Sequence, residues 1–136
     1  MTVTKTPAAA MLGSACPFFI VGDLRAAVAF YRDKLGFAVT FSAPDHDPFF
    51  AIVARDGAQF LLKAVAPDVT ALPNRRRHAD ARWDAFVYVA EPDLLAAEFG
   101  DRGVTFDAPL ADTDDGLRGF ELTDNDEYLI FFGCPR

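Results

Sequence analysis

The stretch FIVGDLRAAVAFYRDKLGF, Phe19 to Phe37, decides the fold. The preceding PFF and its FIV form a short apolar run rich in aromatic and β-branched residues, the composition of a buried strand. Asp23 stands where a helix N-cap would. From Leu24 onward Leu24, Ala27, Val28, Tyr31 and Leu35 recur at helical spacing, and Gly36 is placed to end the helix in the left-handed conformation. The segment predicts strand, amphipathic helix, stop. FAVTF then resumes as a strand, APDHDP reads as a loop, and FFAIVA and QFLLKAV flank RDGA, which has hairpin-turn chemistry. The product is one βαβββ unit.

The same order recurs further along the chain. WDAFVYV reads as a strand, EPDLLAAEFGDRG as a short helix with Pro92 in its first turn and Gly103 after its end, and VTFDAP as a strand; GLRGFELTD and YLIFFG flank DNDE as a closing hairpin. Val21 and Val89 are 68 positions apart, as are Asp23 and Glu91, while Gly36 and Gly103 are separated by 67 and Asp56 and Asp126 by 70. A near-constant offset through four kinds of element marks a repeat. A unit that cannot bury its own sheet face implies two copies around a shared core or cavity. The expected organisation is α+β, one domain over residues 1–136: module one at about 15–66, a Pro-containing connecting loop at 67–82, module two at about 83–133.

Composition narrows the function. A chain of 136 residues with 51% apolar residues and 14 phenylalanines can fill a substantial core, which argues against a disordered chain. No stretch approaches the roughly 18 apolar residues of a membrane helix, and MTVTKTPAAAML has too short an apolar run for a signal peptide, so a cytoplasmic protein is expected. Cys16 and Cys134 stand near opposite ends outside any metal-spacing motif, and free thiols are the default. A net charge of −7 argues against nucleic acid as a partner and favours a cation.

Paired βαβββ modules carrying VGDL…FYRDKLGF in the first half and the shorter V…LLAAEFGDRGV in the second resemble the vicinal oxygen chelate superfamily, over about residues 15 to 133. That group includes glyoxalase I, extradiol dioxygenases, fosfomycin-resistance enzymes and bleomycin-resistance proteins. The resemblance implies two modules whose curved sheets form a cleft, within a homodimer. It leaves the chemistry open, because the scaffold hosts both metal enzymes and metal-free binders.

In the metal enzymes of the superfamily one histidine precedes the valine of each module's first strand by five residues, and carboxylates come from the hairpin strands. The matching positions here are Cys16, Asp84, Leu61 and Phe131, with Lys63 and Glu121 as poor substitutes nearby. Iron, manganese, nickel or zinc needs several converging imidazole or carboxylate donors, so no metal, no cofactor and no catalytic residue are assigned. His46 and His78 fall in loops.

The resemblance then runs closest to the bleomycin-resistance branch, whose members sequester a drug without chemistry. Pro17 matches the proline where the first strand is commonly exchanged between partners, and LRGFELTD matches the arginine-aromatic strand, with Arg118 and Phe120 in place. DNDEY departs from the usual DPxGN turn. Holding a flat cationic drug needs aromatic faces and carboxylates in a groove. The residues expected to line it are Phe41, Phe49, Phe50, Trp83, Asp84, Asp114 and Arg118, with Asp112 and Asp115 beside Asp114 in an acidic loop. Arg75, Arg76 and Arg77 support the opposite expectation, an anionic ligand held by guanidinium groups. Two alternatives remain: a glyoxalase- or dioxygenase-like enzyme with an atypical site, and a protein-interaction scaffold with a filled cleft.

Overall fold

The computed structural model describes residues 9–136, so the reading of residues 1–8 as part of no signal peptide lies outside the described residues. Eight strands and three helices follow in the order β1 (Phe18–Ile20), α1 (Leu24–Ala29), β2 (Ala38–Ala43), β3 (Phe50–Arg55), β4 (Ala58–Lys63), α2 (Asn74–Arg77), β5 (Ala85–Tyr88), α3 (Pro92–Asp101), β6 (Phe106–Asp112), β7 (Leu117–Thr123) and β8 (Leu129–Pro135). They build two four-stranded sheets of identical topology, β1-β4-β3-β2 and β5-β8-β7-β6. In each, the first strand runs parallel to the last and the other pairings are antiparallel. The repeat seen in the sequence is thus a structural repeat.

Local chemistry sets the element ends. Asp23, with extended backbone, accepts a hydrogen bond from the amide of Ala26 at 3.2 Å and caps α1. Asp23→Ala is expected to cost about 1 kcal/mol, seen as a lower denaturant midpoint at unchanged m-value. The helix does not stop at Ala29; it widens into a π-helical turn, Phe30–Lys34, before Gly36 reverses the chain at φ +74°. Gly103 plays the same part after α3 at φ +82°. The connecting loop departs from the expected irregular path in one place, the single helical turn of α2. Pro73 opens it, and the Asp84 carboxylate accepts the Asn74 amide at 2.8 Å.

Each helix packs on one face of its own sheet, α1 on β3 and β4, α3 on β6, β7 and β8. The faces turned to the helices supply much of the core, Phe19, Ala51, Val53, Phe60 and Leu62 in module one and Phe120, Leu122, Ile130 and Phe132 in module two, with Phe99 of α3 packed on the latter. The modules meet through this same side. Phe19 stacks on Tyr128 with centroids 4.0 Å apart, and Tyr31 donates to Asp124 at 2.7 Å. Arg55 makes a two-pronged pair with Glu98 at 2.7 and 2.8 Å. The opposite face of each sheet is left open.

Candidate functional site

Strand alternation determines which side chains reach the open faces. In the first sheet the register puts Phe18, Leu61, Ile52 and Phe41 in one row across β1, β4, β3 and β2, with Ile20, Lys63, Phe50 and Ala43 in the next. Phe50 lies 6.3 Å from Phe18 and 6.1 Å from Phe41, centroid to centroid, so three phenylalanines form a patch. Phe41 is 52% exposed. Phe49, immediately before β3, carries the Lys63 ammonium 5.8 Å from its ring centroid, a cation–π contact.

In the second sheet the corresponding rows are Phe86, Phe131, Glu121 and Ala108, then Tyr88, Gly133, Gly119 and Ala111. The Phe131 ring lies down over the two glycines, because a Cβ on Gly119 or Gly133 would come within 2.6 Å of it. Trp83 stacks on Phe131 at 4.5 Å, and Phe86 packs against both. Glu121 is set into this wall, 7% exposed, accepting the Trp83 indole N–H at 2.6 Å and the Arg82 guanidinium at 2.5 Å.

Of the residues expected from sequence, Phe41 and Phe50 stand on the first open wall, Phe49 beside β3 and Trp83 on the second wall. Three stand elsewhere. Both oxygens of Asp84 are taken by backbone amides, those of Asn74 and Leu129, each at 2.8 Å, so its carboxylate ties α2 to β8. Arg118 points to the helix side, where Asp93 at the start of α3 holds it at 2.8 and 2.9 Å and Asp112 at 3.1 Å. Asp114 is exposed in the β6–β7 turn. The arginine run is largely spent on neighbouring carboxylates, Arg75 on Asp107 at 3.1 Å and Arg76 on Glu127.

Phe86, Tyr88 and Glu121, which the structure places on this wall, escaped the sequence reading. The signal was present in AFVYV, where Phe86 and Tyr88 alternate with the inward Val87 and Val89. The superfamily's metal does not fit the four matching positions: Leu61 in the first sheet and Phe131 in the second offer no donor, and the Asp84 oxygens already accept amides.

Two concavities stand out among the described residues. One, about 670 Å³, lies between the modules and is lined by Phe37, Arg55, Phe60, Phe86, Tyr88 and Glu98 among others. The other, about 340 Å³, runs along β1 past Leu72, Arg77 and Tyr128. Neither includes Phe41, Phe50 or Trp83.

The family described as "Glyoxalase/Bleomycin resistance protein/Dioxygenase superfamily" matches residues 15–132. No curated protein sequence matches the chain. Among solved structures, a bleomycin-binding protein from bleomycin-producing Streptomyces verticillus, complexed with copper(II)-bleomycin, is similar at 25% identity and a TM-score of 0.65, covering 93% of this chain and 98% of that one. TnmS3, an antibiotic-binding protein from Streptomyces sp. CB03234, is similar at 21% identity and a TM-score of 0.66, covering 93% and 99%. TioX from Micromonospora sp. ML1 superposes at a TM-score of 0.70 with 19% identity, covering 91% and 100%; these last two are likenesses of fold.

Proposed function

The chain belongs to the glyoxalase/bleomycin resistance protein/dioxygenase superfamily, and from that membership we propose a metal-independent binding protein of the cytoplasm. It sequesters a hydrophobic or cationic, antibiotic-like small molecule in a cleft of a homodimer, a route to antibiotic resistance. The observation that carries this reading is the pair of aromatic walls, Phe18, Phe41 and Phe50 on one sheet, Trp83 and Phe86 laid over the buried Phe131 on the other. Phe41, Phe50 and Trp83 line neither cavity within the chain, although Phe86 and Tyr88 border the larger one; a second copy that set its second sheet opposite the first would complete two clefts. Tyr88, 74% exposed, adds apolar area of the kind that marks an interface or ligand groove. The similarity to a bleomycin-binding protein supports the class of ligand. A glyoxalase- or dioxygenase-type reaction has less support, because Leu61 and Phe131 stand where metal donors would.

Trp83 is the sole tryptophan and lies in the second wall, so it reports directly on occupancy. Titration with metal-free and copper-loaded bleomycin is expected to quench its fluorescence saturably at one drug per chain, less strongly as salt screens charge pairing. No change up to about 100 μM drug, a binding free energy weaker than about −5.5 kcal/mol, removes bleomycin as the ligand. Sedimentation should return twice the chain mass of 14.9 kDa; a monomer at micromolar concentration removes the shared cleft.

A further inference from the structure

The wall built around Trp83 contains a feature that aromatic stacking does not require. Glu121 is buried on the open face of β7, in the row of Phe86, Phe131 and Ala108. A carboxylate withdrawn from water is costly unless paired. Its two partners differ in kind. Trp83 is stacked on Phe131 and held in the wall, so its indole N–H is a fixed donor. Arg82 lies on the chain leading into β5, and its side chain remains 60% exposed while that of Glu121 is 10% exposed.

We propose that Glu121 is the specificity-determining carboxylate of the cleft and Arg82 its resident counter-ion, which a cationic group on a flat aromatic ligand displaces. The inference rests on the cleft reading above and adds the ligand's chemistry: an extended aromatic ring system bearing an amino, amidinium or guanidinium cation. An exposed guanidinium is readily rehydrated, and the buried carboxylate it leaves is not stranded, because the arriving cation replaces it. The arriving cation meets a carboxylate already desolvated and aligned, beside the faces of Trp83 and Phe86, where cation–π attraction adds to the charge pairing. The total charge of the site is unchanged by the exchange. A neutral ligand leaves Arg82 in place and gains stacking only. Lys63, 5.8 Å from the Phe49 ring centroid, shows that the first sheet also holds a cation against an aromatic ring.

The test uses two planar probes of similar size, cationic proflavine and neutral acridone, titrated calorimetrically into the full chain. The wild type is expected to bind proflavine at least tenfold more tightly than acridone. Glu121→Gln, which preserves an acceptor for Trp83, should bring the two within about twofold by weakening proflavine alone. Arg82→Ala should tighten proflavine by threefold or more and leave acridone unchanged. An unchanged preference for proflavine in Glu121→Gln, or weaker proflavine binding in Arg82→Ala, overturns the proposal while acridone binding keeps the cleft reading. If neither dye binds the wild type, both fall together.

Discussion

Gly119→Ala is expected to lower the stability of this protein by about 3 kcal/mol and its Tm by roughly 10 °C, far more than adding one methyl group ordinarily costs. The added carbon would sit 2.2 Å from the backbone oxygen of Phe132, 2.6 Å from the ring of Phe131 and 2.9 Å from the Cα of Gly133. A flexible side chain could swing away from such a contact, but a neighbouring strand cannot. β7 and β8 would have to separate at the centre of the second sheet, where Gly119 pairs with Gly133. Gly57→Ala is the control, because a Cβ there meets nothing within 4 Å. Thermal unfolding of the two variants side by side decides it: a shift at Gly119 no larger than at Gly57 shows that the strands yield easily. The consequence reaches the site, since displacing Phe131 removes the surface on which Trp83 stacks, and the tryptophan emission of Gly119→Ala should move to longer wavelength.

This glycine pair also marks the limit of what the sequence alone conveys. The strand-helix-strand order, the Asp23 cap and the glycine stops were legible because each depends on residues near one another in the chain, and the repeat offset because it compares such local patterns. Which face of a strand a residue occupies is legible too when apolar and polar positions alternate. Here both faces are apolar: β8, LIFFGCP, is buried almost throughout, with Phe132 toward the helix and Phe131 toward the open side. Alternation of polarity carries no signal in such a strand. Asp84 and Arg118 illustrate a second limit. A charged residue in an aromatic strand reads as a ligand contact until its partners are known, and those partners, Leu129 and Asp93, lie 45 and 25 residues away. Glu121 is the converse case, a charge between apolar neighbours whose significance depends on Arg82 and Trp83 meeting it across 39 and 38 residues.

Between pH 4 and 7 the wild type is expected to lose about 2–3 kcal/mol of stability relative to Asp124→Asn. Asp124 follows β7 and is 5% exposed. Its carboxylate accepts the Tyr31 hydroxyl at 2.7 Å and the amides of Asp126 and Tyr128 at 2.9 and 3.0 Å. Burial outweighs these three donors and pushes its pKa up to about 6 from the ordinary 3.8. Burial likewise raises the pKa of Asp126, which has an oxygen without a hydrogen-bond partner among the described residues. With the folded pKa of Asp124 above the unfolded one, the native state keeps a proton that the unfolded chain releases. The stabilisation is complete below about pH 4 and is lost as pH rises through 6, at 1.36 kcal/mol per pH unit of separation. Glu98 has the opposite sign. Arg55, then Arg102, hold it down at about 2 from 4.5, so its contribution is present above 4.5 and lost as pH falls through 2. The two windows barely overlap, and Glu98 is common to both proteins, so their difference isolates Asp124. Asparagine retains an acceptor for the two amides and a donor toward Tyr31, which keeps the variant folded. Tyr31→Phe removes a donor to the charged form, which raises the Asp124 pKa further and should extend the loss of stability to higher pH at the same limiting slope. Urea denaturation at pH 4, 5, 6 and 7 measures all three, and a wild-type-minus-Asn difference that stays flat across that range would show that Asp124 ionises as freely in the fold as in water.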